Sequence, residues 1–162
     1  MKRFALALAV LASTGTAIFA GPFPLELVDP KNGQTVRLTP GAKALHVAFF
    51  ATWCSPCTAE LAELVELETR WRDSGYRLVV VAVSSRHTAE RLARYADEHE
   101  LPTTLLFDAG GAVQSALTAE RLPTHIVFDA SGREVERAGA LDDSIRNAVA
   151  GLVRAHPAGG RP

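Results

Sequence analysis

Two cysteines could do chemistry in this chain, and they are three positions apart. Cys54 and Cys57 are the only cysteines among 162 residues. A disulfide between them closes so short a loop that it would scarcely restrict the unfolded chain, which argues against a purely structural bond. A C-x-x-C pair that alternates between two thiols and a disulfide explains the spacing better. The pair therefore predicts thiol–disulfide exchange.

The residues on either side of the pair predict different roles for the two thiols. Residues 45–50 are a continuous apolar run typical of a buried strand, and a helical pattern begins at Ser55. Cys54 would then lie at a helix N-terminus, where free N–H groups and the helix dipole stabilise a thiolate. Cys54 is predicted to attack and Cys57, one turn later, to resolve the mixed disulfide. Pro56 fits the first helical turn, where its missing N–H costs little.

Metal binding is the other common use of such a pair. A structural zinc site needs four ligands, and the chain has no second cysteine pair. Four of the five histidines lie before the tail and show no ligand spacing: His46, His87, His99 and His125. We therefore predict neither a resident metal nor a cofactor, and interpret His125 as a partly hydrogen-bonded strand histidine. A non-enzymatic copper chaperone that uses Cys54, Cys57 and a histidine such as His125 as soft ligands stays open as the alternative.

The first 20 residues have the three-part pattern of a secretory signal. Lys2 and Arg3 form a positive start, residues 4–12 are apolar, and small residues follow. The apolar run is short for a membrane span of about 20 residues, although an uncleaved leader that anchors the chain is the alternative. The pattern predicts a signal peptide at 1–20 and a periplasmic protein in an oxidising compartment.

Apolar strand patterns and amphipathic helix patterns alternate along residues 21–155. The predicted strands are 25–28, 35–38, 45–50, 76–83, 104–107, 124–128 and 134–137. The predicted helices are 55–72, 88–99, 113–119 and 142–155. Pro102 would end a helix and open a strand. This order predicts a single α/β domain with an N-terminal β-hairpin, followed by a disordered tail at 156–162. The net charge of −1 without a basic block disfavours nucleic-acid binding.

Two segments resemble a known group of proteins. Residues 49–57, Phe-Phe-Ala-Thr-Trp-Cys-Ser-Pro-Cys, resemble the active-site stretch of the thioredoxin superfamily, and more narrowly of the TlpA/ResA/DsbE branch of exported bacterial thiol–disulfide oxidoreductases. Leu122-Pro123-Thr124, with the strand and turn after it, resembles that branch's cis-proline region. The resemblance covers about 25–155. It implies a thioredoxin-like fold with a central mixed sheet flanked by helices, and a protein thiol–disulfide oxidoreductase.

The resemblance also implies partners and substrate contacts. The substrates would be protein thiols or disulfides and the electron donor a membrane protein, with the chain a monomer that takes part in cytochrome c maturation. Leu122–Pro123 would be a cis peptide that faces the cysteines and, with Thr124, holds substrate backbone. Trp53 would shield the site and pack beneath a partner, and Pro56 would line the same surface.

Glu60 is the third candidate for a catalytic group. It lies three residues after Cys57, on the neighbouring face of the same helix. A glutamate at this spacing in the resembling branch is implicated in proton handling, and Cys57 must lose a proton before it attacks. Ala48 replaces the buried aspartate of classical thioredoxin. The chain is therefore predicted to rely on Glu60 or water for this proton.

Two further features bear on the reaction. Peroxiredoxins need a threonine three residues before the reactive cysteine, whereas Ala51 holds that position here and Thr52 is one residue too late. A peroxidase is therefore disfavoured. The dipeptide between the cysteines, Ser55-Pro56, lacks the histidine typical of strong oxidants at its second position, which favours a reductant.

Overall fold

A computed structural model of the chain describes residues 21–99, 101 and 104–155. The predicted signal peptide at 1–20, Pro102 and the predicted tail at 156–162 lie outside these residues. None of the helices in the described ranges is long and apolar enough to cross a bilayer.

The described residues form seven strands and four α-helices. The strands are β1 (Leu25–Val28), β2 (Thr35–Leu38), β3 (Ala44–Phe50), β4 (Tyr76–Val83), β5 (Thr104–Asp108), β6 (Thr124–Asp129) and β7 (Glu134–Ala138). The helices are α1 (Ser55–Trp71), α2 (Ala89–Glu98), α3 (Ala112–Ala116) and α4 (Asp143–Arg154). Each strand agrees with its predicted range to within one residue at either end.

All seven strands belong to one mixed sheet in the order β2-β1-β5-β4-β3-β6-β7. The central strands β3, β4 and β5 are parallel, and β6 and β7 continue the sheet, with β6 antiparallel to β3 and β7 antiparallel to β6. The hairpin of β1 and β2 extends the other edge through an antiparallel contact between β1 and β5. This is the thioredoxin-like fold with an N-terminal hairpin extension, as predicted.

The centre of the sheet is the core of the molecule. Every residue of β3 is buried, and so is every residue of β4 except Arg77. Helices α1 and α4 both contact β3. Their buried side chains recur every three or four residues: Leu61, Leu64 and Leu67 on α1, and Ile145, Val149 and Val153 on α4. This spacing gives each helix one apolar face, and that face packs α1 against the sheet.

All four helices end earlier than the sequence patterns predict, α1, α2 and α4 by one residue and α3 by three. Helix α1 gives way to a 3₁₀ turn at Arg72–Ser74, which ends at Gly75 with φ 94°, a left-handed conformation that suits glycine. Helix α3 stops at Ala116, three residues before its predicted end. Thr118 has a φ of 52°, and the Ala119 N–H donates to the Gln114 carbonyl to close the helix. The prediction for α3 was wrong because its last turn is a left-handed cap.

Candidate active site

The cysteine pair lies at the junction of β3 and α1. Cys54 is the N-cap of α1, and its sulfur accepts a hydrogen bond from the Cys57 N–H at 3.3 Å. Pro56 occupies the first turn, as predicted. Cys54 and Cys57 are joined in a disulfide. A thiolate on Cys54 would therefore already have a backbone donor from the helix N-terminus.

The two cysteines have unequal surroundings, although both are buried. Cys54 lines a surface cleft of about 500 Å³, together with Trp53, Pro56, Gln114, Glu120 and Leu122. Cys57 lines an inner cavity of about 10 Å³, together with Ala48, Glu60, Pro123 and His125. The inner cavity has room for at most about one water molecule. Cys54 thus borders the outer cleft, whereas Cys57 borders the interior.

The cis-proline segment lies against both cysteines. The Leu122–Pro123 peptide bond is cis. Leu122 lines the outer cleft beside Cys54, and Pro123 lines the inner cavity beside Cys57. This is the placement that the resemblance implied. Thr124 follows at the start of β6, and its hydroxyl donates to the Arg121 carbonyl at 2.7 Å, so that side chain stabilises the turn before the strand.

Trp53 forms the lip of the cleft. Trp53 is 47% exposed, and in the part of the chain that the structure describes only Val135 is another large apolar residue with such exposure. The indole N–H donates to the Ser85 carbonyl at 3.1 Å, and the Arg86 guanidinium lies 5.6 Å from the ring centre. Arg86 has a φ of 63°, which is uncommon for a residue with a side chain. The loop after β4 thereby holds the indole in place beside Cys54.

A histidine that sequence reasoning gave no role stabilises the segment before the pair. Nδ1 of His87 donates to the Val83 carbonyl at 2.8 Å, which leaves Nε2 as an acceptor. The N–H and the hydroxyl of Thr52 both donate to that Nε2, at 3.2 and 3.0 Å. The ends of parallel strands meet at one edge of the sheet, which brings these two residues together although they are 35 positions apart.

Glu60 lies beside Cys57 in the inner cavity, where its spacing placed it. Its carboxylate is mostly buried and accepts two hydrogen bonds. Oε1 accepts from the Leu141 N–H at 3.0 Å, and Oε2 accepts from Nε2 of His125 at 3.0 Å. Ala48, which replaces the thioredoxin aspartate, lines the same cavity. Among the described residues, Glu60 is therefore the one carboxylate that lines this cavity.

Behind Glu60, two buried histidines and a tyrosine continue the line of hydrogen bonds. Nδ1 of His125 lies 3.1 Å from Nε2 of His46, and Nδ1 of His46 lies 2.7 Å from the Tyr76 hydroxyl. Burial, and then the charge of His125, lower the pKa of His46 well below its usual value. Burial also lowers the pKa of His125 and outweighs the opposing effect of Glu60. Both rings are therefore neutral at pH 7, and the His125–Glu60 contact is a hydrogen bond between a neutral donor and a carboxylate.

The expectation that His125 is only partly hydrogen-bonded was wrong, since both of its ring nitrogens have partners. Antiparallel pairing sets Ala48 opposite His125 and His46 opposite Val127, so the two histidines are diagonal neighbours on one face. The pairing register of β3 and β6 could not be predicted from the sequence. Among the described residues, no three His, Cys, Asp or Glu side chains are arranged to hold a metal ion.

The chain is similar in sequence to several curated proteins named thiol-disulfide oxidoreductase ResA. One such protein from Bacillus cereus is 24% identical over 115 residues, which cover 70% of this chain and 65% of that protein. The protein from Oceanobacillus iheyensis is 29% identical over 119 residues, which cover 72% of this chain and 60% of that protein. The chain thus spans just under two thirds of the length of these two relatives.

Solved structures share the fold. An uncharacterized conserved protein from Geobacillus kaustophilus superposes with a TM-score of 0.74 at 23% identity, covering 96% of this chain and 92% of the other. A secreted Mycobacterium tuberculosis disulfide oxidoreductase homologous to E. coli DsbE superposes with a TM-score of 0.64 at 19% identity, covering 79% and 96%. These likenesses support the fold assigned above.

A family model matches most of the described chain. The AhpC/TSA family model aligns with residues 21–135, a range that contains the hairpin, the cysteine pair and the cis-proline segment. Together with the relatives named ResA, this match confirms the resemblance seen in the sequence: the chain belongs to the AhpC/TSA family, within the thioredoxin-like proteins.

Proposed function

We propose that the chain is an enzyme, a protein thiol–disulfide oxidoreductase that exchanges disulfides with partner proteins through Cys54 and Cys57. The observation that carries this proposal is the unequal placement of the two cysteines. Cys54 opens on a cleft of about 500 Å³, and Cys57 opens on an inner cavity of about 10 Å³. A nucleophile that meets substrate and a resolving thiol that does not are what the reaction requires.

The reduction of a partner disulfide would take two steps. The Cys54 thiolate attacks one sulfur of the substrate disulfide, so that this sulfur enters a mixed disulfide and the other substrate sulfur leaves as a thiolate. Cys57 then gives its proton to the Glu60 carboxylate and attacks the Cys54 sulfur. The substrate sulfur held in the mixed disulfide leaves as the second thiolate. Two electrons pass from the protein to the substrate, and the Cys54–Cys57 disulfide forms. Glu60 releases the Cys57 proton to solvent, and solvent protonates both substrate thiolates.

Substrate would bind along the cleft beside Cys54. The exposed Trp53 indole offers an apolar surface, and Pro56 and Leu122 line the same cleft. The cis Leu122–Pro123 bond and the backbone of Thr124 would hold an extended segment of the partner next to the sulfur. The hydrogen bond from Trp53 to Ser85 keeps this surface in shape before a partner arrives.

We further propose that the protein is exported to the periplasm and works as a reductant, as a monomer supplied by a membrane electron donor. The signal-like residues 1–20 support export, and one structural neighbour is described as a secreted disulfide oxidoreductase. Ser55-Pro56 between the cysteines supports the reducing direction. Apocytochrome c or copper-site thiols are the proposed substrates.

The copper-chaperone alternative is not favoured by the contacts. His125, its proposed third ligand, uses Nε2 on Glu60 and Nδ1 on His46. Neither ring nitrogen is free to bind a metal held by the two sulfurs. A peroxidase stays disfavoured for the reason already given, because Ala51 and not a threonine lies three residues before Cys54.

Reduction of insulin disulfides with dithiothreitol as electron donor tests the activity. The wild-type chain should accelerate the reaction, and Cys54→Ser should abolish the acceleration. Metal content after anaerobic purification is measured on the same preparation. Turnover without copper supports the oxidoreductase; stoichiometric tightly bound copper without turnover would show that the chaperone alternative is correct.

A further inference from the structure

Four side chains from four separate segments form one unbroken line of hydrogen bonds that ends at Glu60. The links are 3.0 Å from Glu60 to His125, 3.1 Å from His125 to His46 and 2.7 Å from His46 to Tyr76. The two histidines and Tyr76 are almost completely buried, with 3% exposure or less. Buried polar groups need partners, and here each one meets the next.

The partners fix where every proton lies. The Glu60 carboxylate can only accept, so Nε2 of His125 carries the proton between them. Because His125 is neutral, its Nδ1 is bare and must accept, which places a proton on Nε2 of His46. Nδ1 of His46 is then bare, and the Tyr76 hydroxyl donates to it. All three donors therefore point toward Glu60.

We propose that His125, with its tautomer fixed by His46 and Tyr76, is a positioning residue that holds Glu60 as an ionised acceptor for the Cys57 proton. The inference rests on the proposed function and adds residues to it. Glu60 and Cys57 face each other across the inner cavity, and Ala48 supplies no carboxylate there. The histidine line would take the place of the aspartate that this strand lacks.

The physical reason is the cost of a buried carboxylate. Burial favours the neutral acid, whereas N–H donors from His125 and Leu141 favour the anion, and hydrogen bonds to a charged acceptor are the strong kind. Losing the His125 donor would therefore remove one of the two hydrogen bonds that hold the Glu60 carboxylate beside Cys57. The carboxylate would then be a poorer acceptor for the Cys57 proton.

The charged groups around the line are few. His125 faces Glu60 on α1, His46 on β3 and, through space, the Asp142 carboxylate at the start of α4. At the far end, burial and then the negative charge of Glu68 on α1 raise the pKa of Tyr76 well above its usual value. Tyr76 thus stays a protonated donor over the working range of pH, and the direction of the line does not reverse.

Nitrogen NMR of the imidazole rings tests the proton assignment without any variant. In the oxidised wild-type chain near pH 7, both His125 and His46 should carry their proton on Nε2. Glu60→Gln should invert both rings. The Leu141 N–H keeps the amide oxygen on its side, so the amide NH₂ faces Nε2 of His125 and that nitrogen must become bare. Wild-type Nδ1–H tautomers, or rings unchanged in Glu60→Gln, would overturn the inference.

A kinetic readout separates this role from a structural one. Reaction of the reduced chain with a chromogenic aromatic disulfide releases one thiolate when Cys54 attacks and a second when Cys57 resolves. In His125→Phe the second phase should slow by about tenfold, the size expected from one lost charge-assisted hydrogen bond, while the first phase stays unchanged. His125→Gln keeps an amide donor and should restore part of the rate of the second phase.

Val127→Ala is the matched control, because it removes buried apolar volume from the same strand without touching a donor. It should leave the rate of the second phase unchanged. An unchanged second phase in His125→Phe, or an equal slowing in Val127→Ala, would refute the positioning role. Absence of turnover in the wild type with the tautomers as stated would instead refute the proposed function.

Discussion

Mild acid should destabilise this protein, and His46 should account for much of the loss. His46 is fully buried with a pKa well below its usual value because of burial, so it stays neutral in the folded chain. In the unfolded chain it takes up a proton near pH 6.5. The free energy of unfolding is therefore highest above that pH and falls below it, because the unfolded state then binds more protons than the folded state.

The magnitude follows from the unfolded histidine alone. Between about pH 7 and about pH 5.5, protonation of one histidine stabilises the unfolded chain by about 1.3 kcal/mol if the folded ring stays neutral. His125 contributes at most a similar amount, because its contact with Glu60 opposes the effect of burial. The total loss of free energy of unfolding is therefore about 1.3 to 2.5 kcal/mol. The Asp142 carboxylate stays ionised in this range, because hydrogen bonds, that of Ser144 first, lower its pKa.

His46→Gln isolates the effect, because its amide can accept from Tyr76 and donate to His125 but does not titrate. Urea unfolding followed by circular dichroism, with the disulfide intact, gives the free energy of unfolding at each pH. The variant should lose about 1.3 kcal/mol less than the wild type on acidification. Equal stability of the wild type at both pH values, or the same loss in His46→Gln, would refute the assignment of a buried neutral ring.

Three further substitutions test the cleft, the core and a helix cap. Trp53→Ala should lower kcat/KM for reduction of a protein disulfide by about tenfold while leaving a small-molecule disulfide nearly unaffected; equal losses would remove Trp53 from the docking surface. Leu64→Ala should cost about 2 to 5 kcal/mol in urea unfolding, against less than about 0.5 kcal/mol for the exposed Val135→Ala. Thr88→Ala should cost about 1 kcal/mol by removing the N-cap hydrogen bond of α2, whereas Thr69→Ala, at an exposed position in the last turn of α1, should be nearly neutral; similar losses in both would show that the cap contributes nothing special.

The elements that carry the cysteine pair could be predicted because their signals are local. A seven-residue buried strand, a proline in the first helical turn and an apolar stripe on α1 follow one another directly in the sequence. Together they place Cys54 at a helix N-terminus without any knowledge of the rest of the chain. The cis-proline segment needed the resemblance, since no local pattern distinguishes Pro123 from other prolines.

The residues that sequence reasoning missed depend on contacts between distant segments. His46 and His125 meet only because β3 and β6 pair in one register, and a shift of one residue would turn one ring to the other face. His87 reaches Thr52 because two parallel strands end at the same edge of the sheet. The sequence shows these histidines only as isolated polar residues in or near apolar runs. Their contacts depend on how the strands are arranged in the sheet.

An experiment that identifies the attacking cysteine tests the proposed reaction most directly. The reduced chain is mixed with insulin, and covalent complexes are resolved by non-reducing electrophoresis and mass spectrometry. Cys57→Ser should accumulate a mixed disulfide through Cys54, because no thiol is left to resolve it. Cys54→Ser should accumulate none, because Cys57 faces the inner cavity. A complex trapped through Cys57 in Cys54→Ser, with none in Cys57→Ser, would show that Cys54 is not the attacking thiol.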